Sequence, residues 1–507
     1  MSGAPDATAG PGAIHREKLA RLKASGAKEL LSNVDWIASL PPEERASYEG
    51  QVRRKPTRTL SGVAVVAVMT APARCPHGRC TYCPGGVGDL SPQSYTGQEP
   101  SALRGAQFHW DARKITEHRL QALQEIGHPT SKVEVIVMGG TFPARPREYQ
   151  EGVFRAIYEG LNGLPSASLT EAQARNESAE HRLVGLTVET RPDWCDQRVL
   201  PFLLDAGVTR VEIGVECLEE PVLEHVGRAH SATDVVRATR TARNSGLKVC
   251  YHMMLGLPGM TPERDLAGFE RLFGDPNYRP DMLKIYPTLV LAGTALFEEH
   301  RAGRYAPYDL ETTVELLTQI KSRVPPWVRI QRIQRDIPSR LIAAGVRTSN
   351  VRQLAMRRLE ARGSRCACLR CREVGRRATL PQETLELHET TYAAGGGSEV
   401  FLQWTAPQSG ALAGFLRLRL PASGPEIPIV RELKVLGPEV AVGDSAPHPG
   451  VFQHRGLGQS LLRRAEEISA LAGHSAVRVM SAVGTRAYYR NLGYARDGPW
   501  ARKSIAR

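Results

Sequence analysis

No run of about 18 apolar residues occurs in this 507-residue sequence, so a membrane-spanning helix is not expected. The opening MSGAPDATAGPGAIHREKL lacks an apolar core, so no secretory leader is expected, and the reading is cytoplasmic with no membrane partner. An even set of cysteines is also missing. The nine fall into two tight clusters plus Cys195, Cys217 and Cys250, which argues for metal chemistry in a reducing compartment rather than a disulfide framework. Acidic residues are scarce between Arg323 and Arg377, where 15 arginines face only Asp336, Glu360 and Glu373, a local balance of 15 − 3 = +12 within a whole-chain charge of +13. Arginine almost without lysine suits bidentate phosphate contacts and stacking on bases. A solvated surface is the bland alternative; a focused charge of one sign favours nucleic acid.

What is present is enough for two to four domains, with 41% hydrophobic residues to build cores. Residues 1–14, rich in Gly, Ala and Pro, are expected to be disordered. Residues 15–59 form a basic helical arm carrying Arg53, Arg54, Lys55 and Arg58, a second candidate phosphate-contacting patch. From 60 to 325, apolar runs at 62–69, 133–140, 183–190, 210–216, 248–256 and 282–290 alternate with helical patterns. Six such units predict a partial (β/α)6 barrel of parallel strands covered on both faces, with its chemistry at the strand C-termini. The polar stretch 164–181 reads as a surface excursion. Residues 326–378 form an Arg-rich connector, and 379–507 turn β-rich with two helices.

The stretch RCPHGRCTYCPGG holds Cys75, Cys80 and Cys83 at the end of the first predicted strand. Three thiolates can hold three corners of a 4Fe–4S cube and leave the fourth iron open to an external ligand. A zinc ion completed by His77 is the competing reading. A second trio, Cys366, Cys368 and Cys371, sits among arginines away from any strand end. Its spacing predicts structural zinc of Cys3His type, with His388 the nearest downstream histidine. At 452–473, Gln453, His454, Arg455, Gly456, Leu457 and Gly458 lead from a loop into a helix whose exposed N–H groups suit a pyrophosphate.

The motifs CPHGRCTYCPGG, SPQSYTGQEPSALR (91–104), KVEVIVMGGTFPARPREYQ (132–150), ETRPDWC (189–195) and LKIYPTLVLAGTALFE (283–298) resemble the catalytic subunit of Elongator, a family of tRNA uridine carboxymethyl-forming acetyltransferases. The likeness runs from about residue 50 to the C-terminus. The first cysteine gap is shorter here than in eukaryotic members, which alters a loop rather than the ligand count. The resemblance implies a radical S-adenosylmethionine barrel, a zinc-bound basic connector and a mixed α+β N-acetyltransferase domain. Tyr82 sits where radical S-adenosylmethionine enzymes often carry an aromatic.

The cofactors implied are a 4Fe–4S cluster at Cys75, Cys80 and Cys83, S-adenosylmethionine on its open iron, zinc and acetyl-CoA. Gly139, Gly140 and Thr141 would lie against the methionine moiety. Glu189, with Glu212 or Glu216 as weaker candidates, would contact ribose or amino groups, a structural salt bridge being the alternative for each. Lys284 and Tyr286 are candidate substrate or cofactor contacts. Tyr488 and Tyr489 would lie near the thioester, one of them as a proton donor.

The implied reaction takes hydrogen from the acetyl methyl with a 5′-deoxyadenosyl radical. The carbon radical then adds to carbon 5 of a tRNA wobble uridine, and hydrolysis releases CoA. Partners are the tRNA anticodon region, held by the arm and by Arg329, Arg332 and Arg335, and an electron donor; a homodimer is the candidate assembly. Rival readings are a protein lysine acetyltransferase with a structural barrel and an RNA-binding scaffold.

Overall fold

The computed structural model describes residues 56–377, 383–422, 426–440 and 452–506, with Leu19, Ala20 and Lys23. Arg53, Arg54, Lys55, the stretch 1–14 and nearly all of the expected arm lie outside the described residues; Arg58 is exposed in a short turn, Pro56–Arg58. Among the described residues, no helix is long and apolar enough to cross a membrane.

The first half is a seven-stranded, all-parallel sheet in the order β1-β2-β3-β4-β5-β6-β8. Its strands are β1 (Ala64–Met69), β2 (Lys132–Met138), β3 (Arg182–Thr190), β4 (Arg210–Glu216), β5 (Lys248–Leu255), β6 (Met282–Pro287) and β8 (Arg329–Ile333); β7 (Val290–Leu291) and β9 (Ile342–Ala344) form a separate pair. The expected barrel of six units is one strand short. Arg329–Ile333, read from sequence as the start of a connector, turns Ile330 and Ile333 inward across a register shift and extends the sheet beyond β6.

A second difference concerns the strand faces. β2, β4 and β5 alternate rather than being apolar throughout. Val133, Val135, Val137, Val211, Ile213, Val215, Val249, Tyr251 and Met253 join the core under the helices. The intervening residues, among them Glu134, Arg210, Glu212, Glu216, His252 and Lys284, lie on the concave face, whose two ends are lined by cavities. A half-barrel does not bury its inner face in apolar contacts, so period two survives there.

The covering helices carry ordinary start signals: Asp111 caps Ala112–Gln124, and Ser231 with Asp234 forms a capping box on Ala232–Asn244. The stretch read as a surface excursion contains a helix, Leu169–Asn176, capped by Ser168. Its Asn176 is fully buried, accepting from Leu183 N at 2.8 Å and donating to Asn162 Oδ1 at 2.8 Å.

The second half is a seven-stranded sheet in the order β10-β11-β12-β13-β14-β16-β15. The strands are β10 (Glu386–Ala394), β11 (Gly397–Thr405), β12 (Leu412–Leu420), β13 (Ile429–Val435), β14 (Ala476–Val479), β15 (Ala495–Asp497) and β16 (Trp500–Ser504). β13 and β14 are parallel neighbours but pair only at Ile429–Arg478 and Val430–Val479. β13 then continues to Val435 paired with β12 alone, which opens a gap on its β14 side beside the N-terminus of the helix Leu457–Leu471.

The two halves share a buried ionic cluster. Arg431 of β13, fully buried, donates to both oxygens of Asp281 at 2.7 and 2.8 Å and to Glu399 Oε2 at 2.8 and 3.1 Å. Arg243 pairs with the same two carboxylates at 3.3 and 2.9 Å, and Arg417 and Arg419 flank them. Burial works to raise the Asp281 carboxyl, but Arg243, Arg431 and Arg417 overcome it and hold it well below the usual range. Breaking such a cluster strands a buried charge. Asp281→Asn should therefore cost about 3–5 kcal/mol, read as a lowered midpoint in urea unfolding followed by tryptophan fluorescence; an unchanged midpoint would show the cluster to be energetically idle.

Candidate active site and thiol centres

The strand C-termini converge on a cavity lined by Cys75, Tyr82, Tyr95, Met138, Gly140, Thr141, Glu189, Glu212, Glu216, Arg228, His252, Lys284, Tyr286, Arg332 and Arg335. The loop after β1 carries the three thiols, Cys75 lining the cavity and partly buried, Cys80 and Cys83 buried. Gly139 and Gly140 follow β2 with φ of 131° and 94°, a backbone path that L side chains rarely adopt. A Cβ on Gly140 would lie 3.7 Å from Cys75 Sγ, and Thr141 Oγ1 is 3.9 Å from that sulfur. Glu189, near the end of β3, accepts from Gly139 N at 3.2 Å and from Tyr95 Oη at 3.0 Å. The structure thus brings together Gly139, Gly140, Thr141, Glu189 and the first thiol as the sequence motifs suggested.

Glu212, fully buried, is bound by Lys284 Nζ and by His252 Nε2 at 3.0 Å. Burial acts to raise its carboxyl; Lys284, His252 and Arg210 outweigh that and hold it well below the usual range. Lys284 is therefore an ion-paired ammonium, and Tyr286 packs edge-on to His252 at 5.7 Å. Glu216 ends β4 with φ of 69° and lies 3.2 Å from Arg228 Nη2.

Several residues here carried no assigned role in the sequence reading. Gln93, Ser94 and Tyr95 lie in the segment 91–104, beyond the thiol loop. Folded back, Gln93 Oε1 accepts from Cys75 N, Gln93 Nε2 donates to Gly78 O at 2.9 Å, and Ser94 N donates to Cys83 Sγ at 3.1 Å. Arg228 reaches Cys80 Sγ at 3.9 Å. His77 lies 3.2 Å from the same sulfur; burial, then Arg191 and Arg228, push it down to about 3, so it is neutral near pH 7.

The basic segment is less available than its charge suggested. Arg329 is mostly buried against Glu373 at 2.5 Å, Arg358 and Arg362 are engaged by Glu311 and Glu315, and Arg376 by Glu373. Arg332 and Arg335 remain at the cavity, Arg335 lying 5.7 Å from the Tyr95 ring centre.

A second cavity, about 780 Å³, opens at the opposite ends of the same strands. Its walls are Lys132, Glu134, Arg182 and Lys248 from the barrel and Leu433, Val435, His454, Gly456, Gly458, Tyr488 and Tyr489 from the C-terminal sheet. Gly456 caps the helix Leu457–Leu471, leaving its first N–H groups toward the cavity. Tyr488 is 39% exposed, with Oη 3.2 Å from where a Cβ on Gly458 would sit; Tyr489 is buried in the sheet core as well as touching the cavity. Gln453 is committed to structure: it accepts from Lys132 Nζ at 3.0 Å and Val440 N at 3.1 Å and donates to Val435 O at 3.2 Å. Arg455 is exposed on the same loop.

The second thiol trio converges, with the ligand atoms of Cys366, Cys368 and Cys371 within 4.8 Å of one another. His388 is not part of that group; it stands half-exposed on β10, 3.7 Å from Glu386. Beside the trio stands Lys321 instead, fully buried on the helix Leu310–Arg323, with Nζ donating to Cys366 Sγ at 3.2 Å and Cys371 Sγ at 3.6 Å. A lysine was invisible to a search for histidine.

Comparison with known proteins fixes the class of the first half: residues 70–269 match the Radical SAM superfamily and 280–361 the Radical_SAM C-terminal domain. Membership makes a 4Fe–4S cluster and S-adenosylmethionine its cofactors. The chain is 43% identical over 489 residues to the tRNA uridine(34) acetyltransferase of Methanocaldococcus jannaschii, covering 94% of this chain and 90% of that one. It is 42% identical over 492 residues to human Elongator complex protein 3, covering 93% and 89%. A solved structure, the archaeal Methanocaldococcus infernus Elp3 with an N-terminal deletion, superposes with a TM-score of 0.78 at 39% identity, covering 88% of this chain and 100% of that one. The chain belongs to this family of radical SAM acyltransferases.

Three converging thiols fit a tetrahedral ion better than a cube, which holds its cysteines further apart. Purified protein should carry about one zinc per chain, and Cys366→Ser should lose it with lowered thermal stability while keeping the iron; full zinc retention in that variant would remove the trio as the site.

Proposed function

We propose that this enzyme forms 5-carboxymethyluridine at the wobble uridine of tRNA from acetyl-CoA and S-adenosylmethionine. The observation that carries the reading is the pairing of two unlike cavities on one set of strands. One is lined by Cys75 of the thiol loop, by Gly140 of the Gly-Gly turn and by strand-end carboxylates; the other is fronted by a helix N-terminus and a tyrosine. The relatives' printed name, tRNA uridine(34) acetyltransferase, supports the RNA substrate.

In this reading Cys75, Cys80 and Cys83 hold the cluster. Their free thiols at the strand ends fit it, and buried Arg228 beside Cys80 offsets thiolate charge. When bound, the cluster and S-adenosylmethionine supply one-electron chemistry able to break an unactivated methyl C–H bond, which no acid–base side chain does near neutral pH. Gly139 and Gly140 let backbone approach the methionine end, and Glu189, oriented by Tyr95, takes a ribose or amino group. Lys284, anchored by Glu212, presents a cation to the substrate base. Arg332 and Arg335 receive RNA phosphates at the mouth, with the base turned out of its stack.

In the second cavity the N-terminus of the helix Leu457–Leu471 takes the pyrophosphate of CoA. Burial raises the Tyr488 hydroxyl further above neutral, so it stays protonated and can give its proton to the departing thiolate. Cys366, Cys368 and Cys371, with Lys321 beside them, hold structural zinc and fix the basic segment. The alternative of a protein acetyltransferase needs no cluster.

Anaerobic incubation with tRNA, acetyl-CoA, S-adenosylmethionine and a reductant, followed by nucleoside mass spectrometry, should yield the carboxymethyl product. Cys80→Ser should abolish both product and the visible absorbance of the cluster. Tyr488→Phe should keep that absorbance and slow tRNA-dependent CoA release by roughly 10²-fold or more. Undiminished nucleoside product from Cys80→Ser would overturn the reading.

A further inference from the structure

The two cavities share no wall residue, yet a single line of alternating charges joins them through the concave face. Lys434 of β13 reaches Glu134 Oε1 at 2.9 Å on the acyl side. Glu134 Oε2 lies 3.5 Å from Arg210 Nη1, and Arg210 Nε lies 3.7 Å from Glu212 Oε1. Glu212 then meets Lys284 and His252 in the thiol-rimmed cavity. Every side chain from Glu134 to Lys284 is at most 20% exposed.

Arg210 is the loose link. A guanidinium carries five donors and normally closes on a carboxylate at about 2.7–2.9 Å. Here it sits between two carboxylates and closes on neither. Among the described residues its Nε has no hydrogen-bond partner, nor has the Glu212 oxygen facing it, while Nη1, 3.5 Å from Glu134, donates to Met282 Sδ at 3.9 Å. Glu134 packs its stem closely over Gly185, in register with it, where an added Cβ would stand 3.1 Å from Glu134 Cγ; its carboxylate end borders the open volume of the second cavity. A shift of under an ångström either way would complete one pair and release the other. That is a two-position element on which both cavities act.

We propose that Arg210 is a positioning residue that couples the acyl-CoA cavity to the S-adenosylmethionine cavity. The proposal rests on the functional reading above. A polyphosphate entering the acyl cavity competes for Lys434, Glu134 draws Arg210, and Glu212 is left less neutralised. The other cavity becomes more negative and binds a cationic sulfonium more tightly. Linkage makes the effect reciprocal.

The test is equilibrium binding of S-adenosylmethionine to the anaerobically reconstituted full chain, with and without saturating acetyl-CoA, and the converse titration. The parent should show mutual tightening of about 5-fold or more. In Arg210→Gln each ligand should still bind alone, with the mutual effect falling toward onefold, and Arg210→Lys should restore part of it. Glu134→Gln, which keeps the shape of the side chain, should also reduce the coupling if Arg210→Gln fails to fold. Independent binding of both ligands to the parent, or undiminished coupling in Arg210→Gln or Glu134→Gln, overturns this inference alone. A parent chain that fails to bind one of the two ligands overturns the functional reading and this inference with it.

Discussion

The architecture depends on the salt cluster in which Arg431 and Arg243 grip Asp281 and Glu399 at the seam of the two sheets. Four buried arginines around two carboxylates leave a surplus of positive charge, relieved by Glu432 beside Arg417 and by backbone carbonyls such as Leu247 O, 2.9 Å from Arg431. Charges this deep are tolerated only when each finds partners at once. Arg431 lies on β13 and Asp281 precedes β6, so the cluster sets where β13 crosses the barrel floor. The second cavity is what that crossing encloses.

Much of the fold was legible because its code is local. Apolar runs alternating with helical patterns placed the barrel strands to within a few residues. The seventh strand was not, because Arg329–Ile333 is short and lies in a run whose arginines dominated the reading. Its identity comes from pairing with β6 rather than from its own pattern. Likewise, the polar residues of β4 look anomalous in a chain read linearly; they make sense once the concave face is known to carry chemistry.

The site divides along a similar line. Cysteines, glycine pairs and strand-end carboxylates announce themselves by type and spacing. Tyr95, Arg228, His252 and Lys321 act from distant positions, and only the fold shows what they face. Lys321 lies 45 positions before the first sulfur it touches, and Tyr95 lies 94 before its carboxylate. Charge counting overstated the basic segment for the same reason: Glu311 and Glu315, which neutralise part of it, stand on a helix that precedes it.

Gln453 has a consequence of a different order. Its amide is knotted to Lys132 of the barrel, to Val435 at the end of β13 and to Val440 just beyond it. The loop beside the second cavity is therefore fastened by one side chain to both halves. An isolated C-terminal fragment would lose an anchor of that loop, so dissecting this enzyme into independently working pieces runs against its construction.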